Sequence, residues 1–263
     1  MNRERKRGKS LAATLRRMGY VRDQEGIMRR YLRERENWES HLKACRDFIS
    51  GAFPDPGLRS LAILGSGWLL DVPLEALRKR FDKLVLADIR HPVQIRKRCE
   101  KMPGVELIQC DLSGGIVEQL QQLARSKERP TAVSLTESLV FSAPAGLPET
   151  DALVSLNLLN QLDILLAAYA RNQILGGREL PLAFRQKIQA FHLDWLQQKA
   201  GCLITDVEER QKGREGKRKS LPLVHVPLPA GRRSAHWTWR FDQSGNYRRG
   251  TQVEMRVEAR EWS

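Results

Sequence analysis

A glycine-rich turn is the first feature of this sequence that could do chemistry. Gly65-Ser66-Gly67 follows the continuous apolar run 60–64 and precedes a predicted helix. Glycines let the backbone turn sharply and approach a ligand closely, and the following helix offers free N–H groups. A single Gly-x-Gly after a strand is weak evidence, so the turn indicates a nucleotide site without establishing one.

Two aspartates at predicted strand ends strengthen this interpretation. Asp88 ends the second predicted strand, 23 residues after Gly65, at the spacing of a carboxylate that accepts hydrogen bonds from both hydroxyls of a ribose. Asp111 ends the third strand, where a polar side chain can reach an adenine amino group. Ligands of open α/β sheets bind at the carboxyl ends of the strands, so we expect the three positions to converge on one crevice. Taken singly, each aspartate could instead cap a helix or close a turn.

The elements that must position these residues alternate between strands and helices. Predicted strands cover 60–64, 83–87, 105–110, 151–156 and 201–206, and predicted helices cover 71–81, 92–102, 115–125, 158–172 and 180–199. This alternation is typical of an α/β fold with a doubly wound, mostly parallel sheet. Two segments of period two, 235–242 and 253–259, predict an antiparallel C-terminal hairpin.

The turn cluster 53–57 divides the chain into two predicted parts. Residues 1–52 contain no proline, and 1–50 carry 14 Lys+Arg against 7 Asp+Glu, which predicts a basic N-terminal helical extension. Residues 58–263 are predicted to form one domain. The whole chain has 45 Lys+Arg against 31 Asp+Glu, a net charge of +14 that favours an anionic partner such as nucleic acid.

Several classes of protein are excluded or disfavoured by composition. The four cysteines form no C-x-x-C pair or zinc spacing, so we expect reduced thiols, a cytoplasmic location and no metal site. The most apolar long stretch, 152–170, is interrupted by asparagine, glutamine and aspartate, which argues against a membrane span. The first ten residues contain no apolar segment of the kind found in secretory signals.

Four stretches resemble the successive motifs of class I S-adenosylmethionine-dependent methyltransferases. They are the glycine-rich turn at 61–67, the strand ends at 86–88 and 109–112, and the segment 151–159. The resemblance covers about residues 58–210. It implies a Rossmann-like fold whose last strand is reversed, and it implies S-adenosyl-L-methionine as the cofactor.

The resemblance also implies which residues bind the cofactor: Gly65, Ser66, Gly67, Asp88, Ile89, Asp111, Leu112 and Asn157. By this resemblance the glycine-rich turn packs on the methionine part, Asp88 holds the ribose, Asp111 reaches the adenine and Asn157 faces the transferable methyl group. Two positions depart from the pattern. Ile63 stands where the family usually has an acidic residue, and Leu69 where it has a third glycine. These departures predict an altered contact with the amino-acid part of the cofactor.

The expected function is methyl transfer to an acceptor that the sequence does not identify, and no catalytic base or oligomeric state can be assigned. One alternative is an inactive methyltransferase-like module that binds RNA or a protein through a basic surface, for which arginines around Trp237 and Trp239 are candidates. A dehydrogenase-like protein is less favoured, because Leu70 replaces the third glycine of a dinucleotide fingerprint. We expect residues 130–150 to form a lid or part of the substrate pocket. His91 is expected to cap a helix and His41 to pack, with a ligand contact as the alternative for each.

Overall fold

The computed structural model describes residues 12–213 and 216–263. Residues 1–11 of the expected N-terminal extension lie outside the described residues. Eight strands form one sheet: β1 (Ser60–Leu64), β2 (Lys83–Asp88), β3 (Val105–Gln109), β4 (Ala152–Leu156), β5 (Ala200–Lys212), β6 (Arg218–Pro222), β7 (Arg233–Asp242) and β8 (Gln252–Trp262).

The helices connect these strands and precede them. They are α1 (residues 12–18), α2 (Tyr20–Ser50), α3 (Leu74–Arg78), α4 (Val93–Cys99), α5 (Ile116–Arg125), α6 (Ala132–Glu137), α7 (Ile164–Gln173) and α8 (Leu182–Leu196). Among the described residues, no helix is both long enough and apolar enough to cross a membrane.

The sheet has the strand order β3-β2-β1-β4-β5-β8-β7, and β6 pairs with β5. Neighbours from β3 to β5 are parallel, whereas β8 runs antiparallel to both β5 and β7. The order reverses between β1 and β4, which opens a crevice at the carboxyl ends of these strands. The expected α/β fold with an antiparallel C-terminal hairpin is confirmed.

Helices cover both faces of the sheet. In β1, Leu61 and Ile63 face a core shared with α2, α3 and α4, whereas Ala62 and Leu64 face a core shared with α1, α5, α7 and α8. This alternation follows from the two-residue period of a strand. Because both faces are buried, the central strands are continuous apolar runs rather than alternating ones.

Two parts of the sheet extend beyond the predicted elements. β5 continues from the predicted 201–206 to Lys212, and its outer half pairs with β8 on one side and with β6 on the other. β6 is mostly exposed and has no apolar alternation, so no pattern in the sequence indicated it. The short helix α6 begins with a capping box between Thr131 and Ser134, inside the segment 130–150 that was expected to form a lid or part of the substrate pocket.

Candidate functional site

All eight residues predicted from the resemblance line one cavity at the carboxyl ends of β1, β2 and β4. Its volume is about 270 Å³, close to the lower end of the roughly 300–1,000 Å³ typical of ligand sites. The expected convergence of Gly65, Asp88 and Asp111 on one crevice is therefore what the structure contains. Their roles as cofactor contacts remain predictions.

The glycine-rich turn is held against the ends of β2 and β4. The Gly65 N–H donates to the Ala87 carbonyl at 2.9 Å, and Gly65 has a φ of +79°. A Cβ at this position would lie 2.7 Å from the Leu156 carbonyl oxygen, closer than real Cβ atoms approach. Glycine at position 65 is thus required both by its backbone angle and by the strand beside it.

Leu69 adopts the backbone conformation that a glycine would favour. Its φ is +56°, after +79° at Gly65 and +38° at Gly67, and its N–H donates to the Ser66 carbonyl at 2.8 Å. A left-handed conformation costs a residue with a side chain about 1–2 kcal/mol. The Leu69 side chain is buried in the core, and that burial offsets the cost. The turn therefore keeps its shape although the third glycine is replaced, and Ile63 is fully buried in β1.

Asp88 joins the glycine-rich turn to the end of β2. One carboxylate oxygen accepts a hydrogen bond from the Gly67 N–H at 2.8 Å, and the other accepts one from the Arg90 N–H at 3.2 Å. Burial raises the pKa of Asp88 to about 6, against the lowering effect of these donors. At neutral pH the side chain is largely ionised, and it can accept further hydrogen bonds from hydroxyl groups. Ile89 follows it in the cavity wall.

Asp111 orders the loop after β3 in addition to lining the cavity. Its carboxylate accepts hydrogen bonds from the N–H and hydroxyl of Ser113 and from the Val117 N–H at the start of α5. The sequence analysis gave helix capping as the alternative role of Asp111, and these hydrogen bonds perform it. Burial raises the pKa of Asp111, and also that of the nearby Tyr20 phenol, which keeps its proton as a donor beside Asp111 and Asp88. Leu112 is buried behind the loop.

Asn157 lies at the end of β4, on the side of the cavity away from Asp111. Its φ of +47° is left-handed, and its N–H donates to the Ile204 carbonyl. Its side-chain amide donates to Asp71 at 2.8 Å and lies 3.4 Å from His41 Nε2. The amide oxygen of Asn157 is buried without a partner. Asp71 is a site residue that no motif in the sequence indicated.

His41, Cys45 and Asp71 form a cluster with the spacing of metal ligands. Trp237 Nε1–H, however, donates to His41 Nδ1 at 3.0 Å, so the proton of the neutral ring lies on Nε2. A histidine that binds metal through Nε2 needs the opposite tautomer, with Nδ1–H as a donor. Burial lowers the pKa of His41 to about 3 and raises that of the Cys45 thiol well above its usual range. This tautomer argues against a metal ion at the cluster.

Helix α2 covers the cavity and forms hydrogen bonds with residues on both of its sides. Trp68 Nε1–H donates to the Gln24 carbonyl at 2.7 Å, and Trp38 Nε1–H donates to the Phe241 carbonyl at 2.9 Å. The helix is interrupted at Glu34, whose carboxylate accepts hydrogen bonds from the backbone N–H groups of residues 243 and 244. Trp68 is thus fixed in the wall and leaves the cavity open. The sequence analysis gave a ligand contact by His41 as the alternative to packing, and the structure places His41 both in the cavity lining and against Trp239.

Two further expectations differ from the structure. His91 is not the helix cap, since Pro92 occupies that position; instead His91 Nε2 lies 3.0 Å from Ser66 Oγ. Burial and the nearby Arg96 lower the pKa of His91 to about 4, so the ring is neutral. Among the described residues that line the cavity, none belongs to 130–150, because that segment packs against α5 and α8 on the other face of the sheet.

The cavity is acidic although the chain is basic. Its lining holds one arginine, Arg30, against six carboxyl groups: Asp23, Asp71, Asp88, Asp111, Asp206 and Glu209. Some of the basic residues proposed for a nucleic-acid surface are paired instead. Arg232 and Arg233 form ion pairs with Glu261, and Arg248 forms one with Glu209. The local charge of the cavity therefore favours a cationic ligand.

No family model matches the chain, and no curated protein matches its sequence. Solved structures that match include an S-adenosylmethionine-dependent methyltransferase from Mesorhizobium loti, 14% identical over 83% of this chain and 96% of that chain, with a TM-score of 0.31. The N-methyltransferase NodS from Bradyrhizobium japonicum, in complex with S-adenosyl-L-homocysteine, is 11% identical over 86% of both chains, with a TM-score of 0.34. CalS10 from Micromonospora echinaspora, an amino pentose methyltransferase, is 16% identical over 86% of this chain and 77% of that chain, with a TM-score of 0.31. At this level of similarity, function has to be inferred from the site itself.

Proposed function

We propose that this protein is an S-adenosyl-L-methionine-dependent methyltransferase. The observation that carries the proposal is the hydrogen bond from the Gly67 N–H to the Asp88 carboxylate at the carboxyl ends of β1 and β2. It joins a turn that lets a ligand approach the backbone to an acid that can hold a ribose.

The residues of the cavity fit this cofactor in two respects. The turn from Gly65 to Gly67 lines the cavity with two residues that have no side chain, so a ligand can approach the backbone there. Six carboxyl groups against one arginine suit a ligand that carries a sulfonium and an ammonium. When bound, the cofactor supplies a methyl group on a positively charged sulfur atom.

The proposed contribution of the chain is binding, orientation and exclusion of water. Asp88 accepts hydrogen bonds from the ribose hydroxyls, the loop of Asp111, Leu112 and Ser113 borders the adenine, and the turn from Gly65 borders the methionine part. Helix α2 covers the site. Holding two reactants in line accounts for much of the rate in such transfers, so positioning is the main catalytic contribution. We further propose a cytoplasmic location, because all four cysteines are buried free thiols.

Isothermal titration calorimetry with S-adenosyl-L-methionine, S-adenosyl-L-homocysteine and NAD tests the proposal. We expect saturable binding of the two sulfur compounds only. Asp88→Asn should weaken S-adenosyl-L-homocysteine binding at least tenfold, because two hydrogen bonds to a charged group are lost. The matched control is Asp151→Asn, since Asp151 also accepts backbone N–H groups, from Arg59 and Ser60, but lies at the opposite end of β4. Equal binding by both variants, or binding of NAD alone, would contradict the proposal.

A further inference from the structure

The part of the cavity beyond Asn157 has its own chemistry. One wall is aromatic: His41 stacks on Trp239 with ring centroids 3.9 Å apart, and Trp38 packs edge-on against Trp239 at 4.7 Å. The same part of the cavity is lined by acids and amides, namely Asp71, Asp206, Glu209, Asn157 and Asn160. Aromatic rings and carboxylates in one cavity are the combination that binds organic cations.

Three hydrogen-bond acceptors in this part have no partner. They are Asn157 Oδ1, Asn160 Oδ1 and Asp206 Oδ1, and each is buried. Both asparagines already use their amide N–H₂ groups, on Asp71 and on Asp206 respectively, so their oxygens are left over. A buried acceptor without a donor costs free energy. A ligand that brings N–H groups would remove this cost.

Two hydrogen-bond donors without a partner also line this cavity. The balance of charge indicates whether a ligand is expected to bring donors for the acceptors or acceptors for these donors. The donors are Arg30 Nε and Trp239 Nε1. The Arg30 guanidinium already lies over the rings of Phe241 and Tyr247, 4.4 and 4.6 Å from their centroids. Glu209 is paired with Arg248, whereas no ion pair is found for Asp71 or Asp206 among the described residues. In the described lining, the carboxyl groups without an ion pair thus outnumber the one arginine without one, and the uncompensated charge is negative.

A metal ion is the other cation that carboxylates could hold, and the geometry argues against it. The Trp237 N–H fixes the proton of His41 on Nε2, which takes this nitrogen away from any metal. Helix α2 covers part of the cavity and is fixed there by the hydrogen bonds of Trp68 and Trp38, which favours a small ligand over a macromolecular chain. What remains is a small organic molecule with N–H donors.

We propose that the acceptor of the methyl group is a small-molecule amine, bound between the aromatic wall and Asp206. This rests on the proposed function. The bound ammonium first gives a proton to the Asp206 carboxylate, which later releases it to water. The nitrogen lone pair then forms the N–CH₃ bond as the S–CH₃ bond breaks, and the electron pair of that bond stays on sulfur. The nitrogen, which is neutral before the transfer, gains the positive charge that the sulfur loses.

The test measures ligand preference by calorimetry on the protein saturated with S-adenosyl-L-homocysteine. The probes are a panel of small aryl and alkyl primary amines, such as 2-phenylethylamine and butylamine, each paired with the alcohol of the same skeleton. We expect at least one amine to bind at least tenfold more tightly than its alcohol. Asp206→Asn should reduce this preference by about ten- to a hundredfold, the range for a hydrogen bond to a charged group. Asn160→Ala should reduce it as well.

Glu208→Gln is the matched control, because it removes the same charge two residues along β5 at a side chain paired with Arg210 and Arg256. It should keep the preference for amines. If S-adenosyl-L-homocysteine binds and no amine is preferred over its alcohol, or if Asp206→Asn behaves as Glu208→Gln does, the acceptor proposal is wrong while the methyltransferase proposal stands. If amines are preferred through Asp206 but neither sulfur compound binds to the protein, the methyltransferase proposal is wrong instead.

Discussion

A methyl group added at Gly65 tests whether the turn is locked to β4. Gly65 and Gly146 have nearly the same φ, +79° and +81°. A Cβ at position 65 would lie 2.7 Å from the Leu156 carbonyl oxygen and 3.0 Å from Leu158 Cβ. A Cβ at position 146 would meet nothing within 4 Å. Gly65→Ala and Gly146→Ala thus share the backbone strain and differ in the collision.

The size of each effect follows from the backbone strain and from the collision. A left-handed alanine costs about 1–2 kcal/mol, which is the whole effect expected for Gly146→Ala. The collision adds about 1–3 kcal/mol for a packed interior that must shift, so Gly65→Ala should cost about 2–5 kcal/mol in free energy of unfolding. For a chain of this size, Gly65→Ala should melt about 2–12 °C below Gly146→Ala.

Urea denaturation followed by tryptophan fluorescence measures the stabilities, and calorimetry with S-adenosyl-L-homocysteine measures binding below the melting range. Gly65→Ala should lose most of its affinity, whereas Gly146→Ala should keep it. Gly67→Ala separates binding from folding: its Cβ makes only ordinary contacts, the nearest being 3.7 Å to the Asp88 carboxylate. It should resemble Gly146→Ala in stability and Gly65→Ala in binding. Equal stability of the Gly65 and Gly146 variants, or unchanged binding by Gly65→Ala, would refute the reasoning.

Three other substitutions test the buried charges and the tautomer. Burial and two neighbouring carboxyl groups raise the pKa of Asp206 to about 7, so the contribution of Asp206 to stability falls as pH rises from about 4 to 7; the advantage of Asp206→Asn should grow over that range by up to about 4 kcal/mol, measured by denaturation at pH 4 and pH 8. Arg185→Ala leaves the fully buried Asp163 without its ion-pair partner and should cost about 3 kcal/mol at pH 7, but less at lower pH, because burial raises the pKa of Asp163; unchanged stability at pH 7 would contradict this. Trp237→Phe removes the donor to His41 Nδ1 and should cost about 1–3 kcal/mol, whereas a neutral effect would remove the basis for the tautomer.

The central strands and the positions of the site residues were predictable because their causes are local. A strand buried on both faces has a mostly apolar sequence without alternation, as β1, β2 and β4 do, and a turn with positive φ requires glycine at position 65. Parallel pairing then brings the ends of β1 and β2 together without further information. That is why Gly65 and Asp88 could be placed in one crevice from the sequence.

The part of the cavity beyond Asn157 was not predictable, since it depends on long-range contacts. Asp71, His41 and Asp206 come from three distant segments, and none lies in a motif of recognisable spacing. His41 reaches the other two because α2 crosses the sheet, and that crossing is fixed by the hydrogen bond from Trp38 to the Phe241 carbonyl and by Glu34, which accepts a hydrogen bond from the Gln243 N–H. A periodic apolar face shows that a helix is buried, but not which surface it covers.

The net charge of the chain suggests a different kind of ligand from the charge of the cavity lining. A surplus of +14 favours an anionic partner, because it describes the field that a distant ligand meets. A ligand inside the cavity meets six carboxyl groups and one arginine instead, at short range and with little screening. The net charge applies to a ligand far from the protein, and the charge of the lining applies to a ligand inside the cavity. The charge of the cavity lining therefore favours a cationic ligand over a phosphate.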